Sequence, residues 1–107
     1  MNRIEKIRWE RTEARKRTIN EAFRLLSARF SPIGVALKPF GSYAEGKIHA
    51  GSDLDLAISG PDLPSDVKRA VIREAERISA ELGVGIDLVF EAESPLFYDE
   101  VKNACPV

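Results

Sequence analysis

Two aspartates, Asp53 and Asp55, alternate with apolar residues in one short segment and have the clearest capacity for chemistry. The segment 53–58 alternates polar or small residues with larger apolar ones, which predicts a half-buried strand. Side chains two residues apart on a strand share a face and leave it about 6.6 Å apart. Neighbouring carboxylates repel each other unless a positive charge lies between them. Because Mg²⁺ is usually held by carboxylates and substrate phosphates, the pair predicts a magnesium site.

A third acid, Asp87, lies in another short apolar segment, residues 85–90. The alternation there places Asp87 and Val89 on one face of a second predicted strand. If the two strands are neighbours, three carboxylates meet on one side of the sheet, which is the outline of a two-metal site. We therefore predict Asp53, Asp55 and Asp87 as catalytic residues and as ligands of two Mg²⁺ ions.

Gly41 and Ser42 follow a predicted strand, residues 35–40, and predict a phosphate-binding turn. Glycine lets the backbone approach a ligand closely, and a helix that begins there offers N–H groups to an anion. Residues 41–47 also match the start of a P-loop, but Ile48 stands where that motif needs a hydroxyl. We therefore do not expect a P-loop.

Three further residues near these motifs carry weaker signals. Lys38 and Lys47 are candidates for steering phosphate groups. His49 lies between the turn and the acids, but we expect a loop side chain or ligand contact there, because the acids already supply a base.

Length and composition indicate a small globular domain, and we expect one domain over residues 1–107. The chain has 44% hydrophobic and 31% charged residues, and its lone cysteine, Cys105, allows no intrachain disulfide and suits the cytoplasm. Residues 1–30 hold nine Lys/Arg and four Asp/Glu, a balance of +5, against −6 in the remainder. The sequence contains no segment of membrane-spanning length, and no membrane partner is expected.

The remaining segments predict the elements that position the acids. Apolar residues recur at helical spacing over residues 19–30, preceded by a basic helical extension, residues 1–18. A second helix is expected over residues 67–82, capped by Ser65 or Asp66 and ended by Gly83. We divide the chain into the extension, a core over residues 19–92 and a C-terminal tail over residues 93–107. The fold class is α/β (α+β): a short mixed sheet of three or more strands flanked by helices, in the order α-β-α-β-α-β.

These motifs together resemble the nucleotidyltransferase superfamily that includes DNA polymerase beta and kanamycin nucleotidyltransferase. The similarity is greatest to the minimal nucleotidyltransferases (MNT), antitoxins of HEPN-domain toxins, and it covers roughly residues 19–92. It is carried by Gly41, Ser42, Gly46, Ser52, Asp53, Asp55, Leu56 and Asp87. The resemblance implies that the first two acids hold both metals and that Asp87 completes one metal site and helps activate the attacking hydroxyl. It also implies that the turn, with Gly41, Ser42, Gly46 and Ser52, binds the nucleotide.

The resemblance further implies a function and a partner. Members transfer AMP from ATP to a hydroxyl of the HEPN ribonuclease toxin, which neutralises it, so we expect the same Mg²⁺-dependent reaction here. Many members have arginines where this chain has Tyr43 and Glu45, and arginine is well suited to phosphate. Two alternatives therefore stay open: an idle antitoxin that neutralises by binding, and a small-molecule (antibiotic-type) nucleotidyltransferase acting as a homodimer. Few aromatics are present, so nucleic acid is not expected as a standing partner, whereas a contact through Trp9 and assembly as a homodimer or with the toxin stay open.

Overall fold

The computed structural model of the protein describes residues 2–59, 62–93 and 96, and its elements follow the predicted order. In chain order they are α1 (Arg3–Phe30), a 3-10 turn (Ser31–Ile33), β1 (Ala36–Phe40), α2 (Gly41–Ala44), β2 (Leu54–Ser59), α3 (Ser65–Leu82) and β3 (Ile86–Phe90). The described strands form one mixed sheet in the order β1-β2-β3, with β2 antiparallel to β1 and parallel to β3. The predicted α+β fold class is therefore confirmed.

The two long helices pack on one face of the sheet. Their buried side chains form a single cluster with alternate residues of β2, namely Leu54, Leu56 and Ile58. On the opposite face, Ala57 is buried against Phe40 and Ala44. Alternation along β2 therefore directs the large apolar side chains to the helices and leaves Asp55 on the other face.

Helix α1 is continuous over 28 residues, so the predicted basic extension and the predicted core helix form one element. The helix begins with a capping box in which Asn2 Oδ1 accepts a hydrogen bond from the Glu5 N–H at 2.8 Å. Every residue from Asn2 to Arg11 is exposed, whereas the first buried residue is Ile19. Its first turns therefore make little contact with the body of the protein.

Most other predicted boundaries agree with the structure to within one residue. Helix α3 ends at Gly83, as predicted, with a left-handed φ of 67°. The predicted cap at Ser65 or Asp66 is wrong, because Pro64 occupies the cap position without a side-chain hydrogen bond and the helix begins at Ser65. Asp66 instead lies in the first turn, where the helix dipole favours a negative charge.

Two other predictions from the sequence concern the C-terminal tail and membrane-spanning segments. The predicted C-terminal tail lies almost wholly outside the described residues. Over the described ranges, none of the helices combines the length and the apolar character that crossing a membrane requires.

Candidate active site

The sheet register places Asp55 and Asp87 side by side. Asp55 is paired with Asp87 across the parallel β2–β3 ladder and with Phe40 across the antiparallel β1–β2 ladder. Phe40 directly precedes Gly41, so the predicted phosphate turn begins beside the two acids. One corner of the sheet therefore holds both predicted motifs.

Asp53 reaches the same corner from just outside the strand. It precedes β2 by one residue, is exposed, and lies opposite Gly85 in the continuation of the parallel register. A Cβ built on Gly85 would lie 2.7 Å from both Cγ and Oδ1 of Asp53. The Asp53 carboxylate therefore occupies the space that the missing side chain at Gly85 leaves, on the same face as Asp87.

Gly41 provides a second such space, beneath Asp55. A Cβ built on Gly41 would lie 2.6 Å from Asp55 Oδ2, far inside van der Waals contact. Gly41 also has a positive φ of 71°, which disfavours any other residue. Glycine at position 41 thus lets the backbone of the turn lie directly against Asp55, one of the acids that the sequence predicts to be catalytic.

The environment of Asp55 favours its protonated form. Partial burial, a hydrogen bond with Asp87, and the negative charges of Asp87 and Asp53 together raise the pKa of Asp55 to about 6. The corner therefore carries excess negative potential that a cation would relieve.

The donor chemistry of the corner fits a hard divalent cation. Asp55 and Asp87 are direct neighbours across the parallel ladder, and carboxylate oxygens are the ligands that such cations prefer. Over the described ranges, however, no group of three or more Asp, Glu, His or Cys side chains is arranged to hold a metal ion. The predicted three-carboxylate set is therefore present on one face, but Asp53 lies over Gly85 rather than in a ready three-ligand cluster.

We expect the stability of the metal-free protein to fall as pH rises from about 4 to about 6. The folded state keeps a proton on Asp55 in this window and the unfolded state does not, so the folded state loses stability as the pH approaches its higher pKa. Urea unfolding with EDTA across this range, compared with Asp55→Asn, measures the effect. The wild type should lose stability relative to Asp55→Asn, and Mn²⁺ or Mg²⁺ should restore it at pH 7. Parallel pH profiles for the two proteins would contradict this.

The phosphate turn is a single helical turn fastened to α1. Helix α2 ends at Ala44, and the Lys47 N–H then donates to the Ser42 carbonyl at 2.8 Å. The long helix that a P-loop requires is absent after Gly41 in the described chain, in agreement with the sequence. Tyr43 packs against the Phe23 ring with centroids 6.1 Å apart, and its hydroxyl donates to Asn20 Oδ1 at 2.6 Å. Tyr43 therefore holds the turn against α1, while Glu45 is exposed.

A second turn, residues 49–52, leads into β2. The Ser52 hydroxyl is buried and accepts a hydrogen bond from the His49 N–H at 2.9 Å, and the Ser52 N–H donates to the His49 carbonyl. His49 Nδ1 in turn accepts from the Gly51 N–H at 3.1 Å. Both side chains thus contribute to the turn itself. A nucleotide contact by Ser52 or by the exposed, left-handed Gly46 stays a prediction.

Lys38 lies on the acid-bearing face of the sheet, whereas Lys47 is exposed in the loop. Lys38 pairs with Ala57 on the antiparallel ladder, and directly opposite residues share a face. Ala57 is two residues from Asp55, so Lys38 lies two positions along the sheet from that acid, whereas Lys47 lies outside the strands.

Gly85 and Asn20 contribute to the site but were not among the residues predicted from the sequence. The sequence did contain a signal for Gly85, because Gly85-Ile86-Asp87 has the spacing of Asp53-Leu54-Asp55 and the two segments align in the parallel register. No local pattern could identify Asn20, since its partner Tyr43 is 23 residues away in the chain.

We expect Gly85→Ala to reduce activity by about 10²-fold without unfolding the protein. The added Cβ would displace the exposed Asp53 carboxylate, and misplacing a reacting group by about 1 Å costs on that order. Gly51→Ala is the matched control, because its Cβ would meet only His49 atoms at 3.5 Å, an ordinary contact. Steady-state kinetics measure the loss of activity, and thermal unfolding checks that both variants remain folded. Equal activity of the two variants would contradict the expectation.

Comparison with known families agrees with this geometry. Residues 17–106 match the family model described as a nucleotidyltransferase domain. The match covers most of the chain, so the protein belongs to the nucleotidyltransferase domain family, whose members transfer nucleotidyl groups and generally use a nucleoside triphosphate and a divalent metal. No curated protein and no solved structure was found to match the chain.

Proposed function

We propose that the protein transfers AMP from ATP, with Mg²⁺, to a hydroxyl of a HEPN-type ribonuclease toxin and thereby neutralises that partner. The observation that carries the proposal is the register of the sheet. It brings Asp55, Asp87 and the start of the Gly41–Ser42 turn to one corner, with Asp53 seated over Gly85. Candidate metal ligands lying beside a candidate phosphate turn support nucleotidyl transfer as the reaction.

Each residue of the corner has a separate role in the proposed reaction. Asp53, Asp55 and Asp87 would hold the divalent cation, which supplies charge neutralisation for the triphosphate. Gly41 and Ser42 bind the outer phosphates, and Lys38 adds positive charge on the same face. Asp87, on the edge strand and exposed, accepts the proton of the attacking hydroxyl. A bond forms between the acceptor oxygen and the α-phosphorus, the bond from that phosphorus to the β-phosphate bridging oxygen breaks, and pyrophosphate leaves.

The first turns of α1 supply a surface for the partner. We call the exposed residues 3–11 the projecting helix. Ile4, Ile7 and Trp9 are 63%, 39% and 55% exposed there, so three large apolar side chains are exposed within six residues of one helix. Ile4 and Ile7 are three residues apart and share one helix face, beside the basic residues of the segment. The projecting helix therefore favours a partner that presents an apolar groove with acidic margins.

The decisive experiment is transfer of label from ATP to the partner. The purified protein is incubated with Mg²⁺ and the helical ribonuclease-type protein encoded in the neighbouring reading frame, using ATP labelled on either the α- or the γ-phosphate. We expect label on the partner from the α-labelled nucleotide only, since γ-label would indicate phosphorylation. Absence of label with all four nucleoside triphosphates would overturn the transferase proposal.

Two variants separate chemistry from docking. Ile4→Ser/Ile7→Ser should lose both complex formation and labelling, because it removes the apolar contact of the projecting helix. Asp53→Asn/Asp55→Asn should lose labelling but keep the complex, which can be followed by the fluorescence of Trp9, the sole tryptophan. Loss of the complex in the acid variant, or labelling that survives it, would place the site elsewhere.

A second candidate function is neutralisation by binding alone. It is supported by Tyr43 and Glu45, which stand where the resemblance leads us to expect arginines: the Tyr43 hydroxyl donates to Asn20, and Glu45 adds a negative charge beside the turn. Neutralisation of the ribonuclease that survives Asp53→Asn/Asp55→Asn would select this function over transfer.

A further inference from the structure

We propose that Arg15 is a positioning residue that fixes the spacing between the entries of β2 and β3, and so between Asp53 and the Gly85–Asp87 segment. This inference rests on the proposed function only in taking these acids as the working groups. Arg15 lies on α1 and acts through the backbone that carries the acids.

The guanidinium of Arg15 bridges two loops that are distant in sequence. Its Nε donates to the Ala50 carbonyl at 2.9 Å, and its Nη1 donates to the Gly83 carbonyl at 3.1 Å. The planar fork of an arginine holds two acceptors in a fixed relative geometry, which a single-point donor does not do. The Arg15 side chain on α1 thus fixes the relative positions of the Ala50 and Gly83 carbonyls.

Each carbonyl lies just before a segment that carries an acid. Ala50 is in the turn 49–52, whose other hydrogen bonds from His49 and Ser52 are internal, and Asp53 follows directly. Gly83 ends α3, and two residues later the Gly85 carbonyl accepts from the Leu54 N–H at 2.9 Å. Displacing either loop would therefore move Asp53 relative to Gly85, the pair that the structure seats against each other.

The position of Arg15 also suits its charge. The C-terminus of α3 ends at Gly83, and the partial negative charge of a helix C-terminus favours a cation. The hollow around it, with a volume of about 350 Å³, is lined by Arg11, Ala14, Arg15, Thr18, Ala50, Leu82 and Gly83. Arg11 is one helical turn earlier and lines the same hollow, but it makes no hydrogen bond or ion pair within the described part of the chain. It is therefore a matched control for charge alone.

The test compares Arg15→Met with Arg11→Met, which remove the same charge and keep a similar apolar stem. We expect Arg15→Met to weaken Mn²⁺ binding, measured by electron paramagnetic resonance, by about 10-fold, in line with groups that orient metal ligands. We also expect amide hydrogen exchange at Leu54 to accelerate by about 10-fold, since its bond to Gly85 lies between the two loops, and kcat to fall while KM for ATP stays within about twofold. Arg11→Met should leave Mn²⁺ affinity and Leu54 exchange, the two readouts that need no partner, within about twofold.

Equal effects of the two substitutions, or unchanged Leu54 exchange and Mn²⁺ affinity in Arg15→Met, would overturn the proposal. If Arg15→Met does not fold, Arg15→Lys replaces it, since it keeps the charge but reaches one carbonyl, and it should still accelerate Leu54 exchange. Neither amide exchange nor Mn²⁺ binding requires a partner or a transfer reaction. A protein without transfer activity would therefore refute the proposed function while Leu54 exchange still decides the role of Arg15.

Discussion

Asp55→Asn is expected to lower the rate of nucleotidyl transfer by at least about 10³-fold while leaving the protein folded. Asp55 is the central acid of the corner, paired with Asp87 on one side and lying over Gly41 on the other. Losing one charged ligand at a reacting phosphate removes several kcal/mol of transition-state stabilisation, and about 4 kcal/mol corresponds to 10³ in rate. The measurement is single-turnover transfer from α-labelled ATP.

The same substitution should not destabilise the metal-free protein at neutral pH. Asp55 is ionised at pH 7 in an environment that raises its pKa to about 6, so its charge opposes folding there. An amide at this position removes that repulsion, and the unfolding midpoint in EDTA should stay constant or rise. A lower midpoint would mean that Asp55 is a structural acid, and the loss of activity would then have another cause.

Asp62→Asn is the matched control for this substitution. It makes the identical change at an exposed acid that lies outside the corner. Its transfer rate should stay within about twofold of the wild type, as is usual for an exposed position. A loss comparable to that of Asp55→Asn would indicate a general effect of net charge rather than loss of a ligand.

The sequence predicted the strands of this fold well because each strand has one fully apolar face. Leu54, Leu56 and Ile58 alternate with polar or small residues, and the structure buries all three against the helices. A one-residue shift would expose them, so the burial of one face fixes the register. The alternation therefore assigns Asp53 and Asp55 to one face, and Asp87 shares that face because β2 and β3 are neighbours.

The contacts between elements could not be predicted in the same way. The hydrogen bond from Tyr43 to Asn20 and those from Arg15 to Ala50 and Gly83 join residues 23 to 68 positions apart. They depend on how α1 crosses the sheet, which no local periodicity contains. The predicted N-cap of α3 was wrong for a different reason. Serine is a common N-cap residue, so Ser65 fitted the usual pattern, but the helix begins at Ser65 and Pro64 precedes it without a capping side chain.

Gly41→Ala is expected to reduce transfer by about 10²- to 10³-fold, the second largest effect in the corner. The new Cβ would lie 2.6 Å from Asp55 Oδ2, so the acid must move away from Asp87 or the turn must move away from the strand. Either change separates the phosphate turn from the acids, and displacements of this size cost about two or three orders of magnitude in rate. Steady-state kinetics and Mn²⁺ affinity measure the loss.

Gly34→Ala separates this steric effect from backbone strain. Both glycines have positive φ, 71° at Gly41 and 87° at Gly34, so alanine costs roughly 1–2 kcal/mol of stability at each. A Cβ at Gly34 would meet no atom within 4 Å. The two variants should therefore unfold at similar urea concentrations, yet only Gly41→Ala should lose activity. Equal activity would mean that Asp55 tolerates the shift.

Ser42→Ala then distinguishes the two ways in which Gly41 can act. If Gly41 matters because it seats Asp55, Gly41→Ala weakens Mn²⁺ binding in the absence of nucleotide, whereas Ser42→Ala raises only the KM for the triphosphate. If Gly41 matters only for phosphate binding, the two variants share the same change in KM and both keep wild-type Mn²⁺ affinity. The 2.6 Å separation from Asp55 Oδ2 favours the first result, because the Asp55 carboxylate cannot keep its position once a methyl group stands against it.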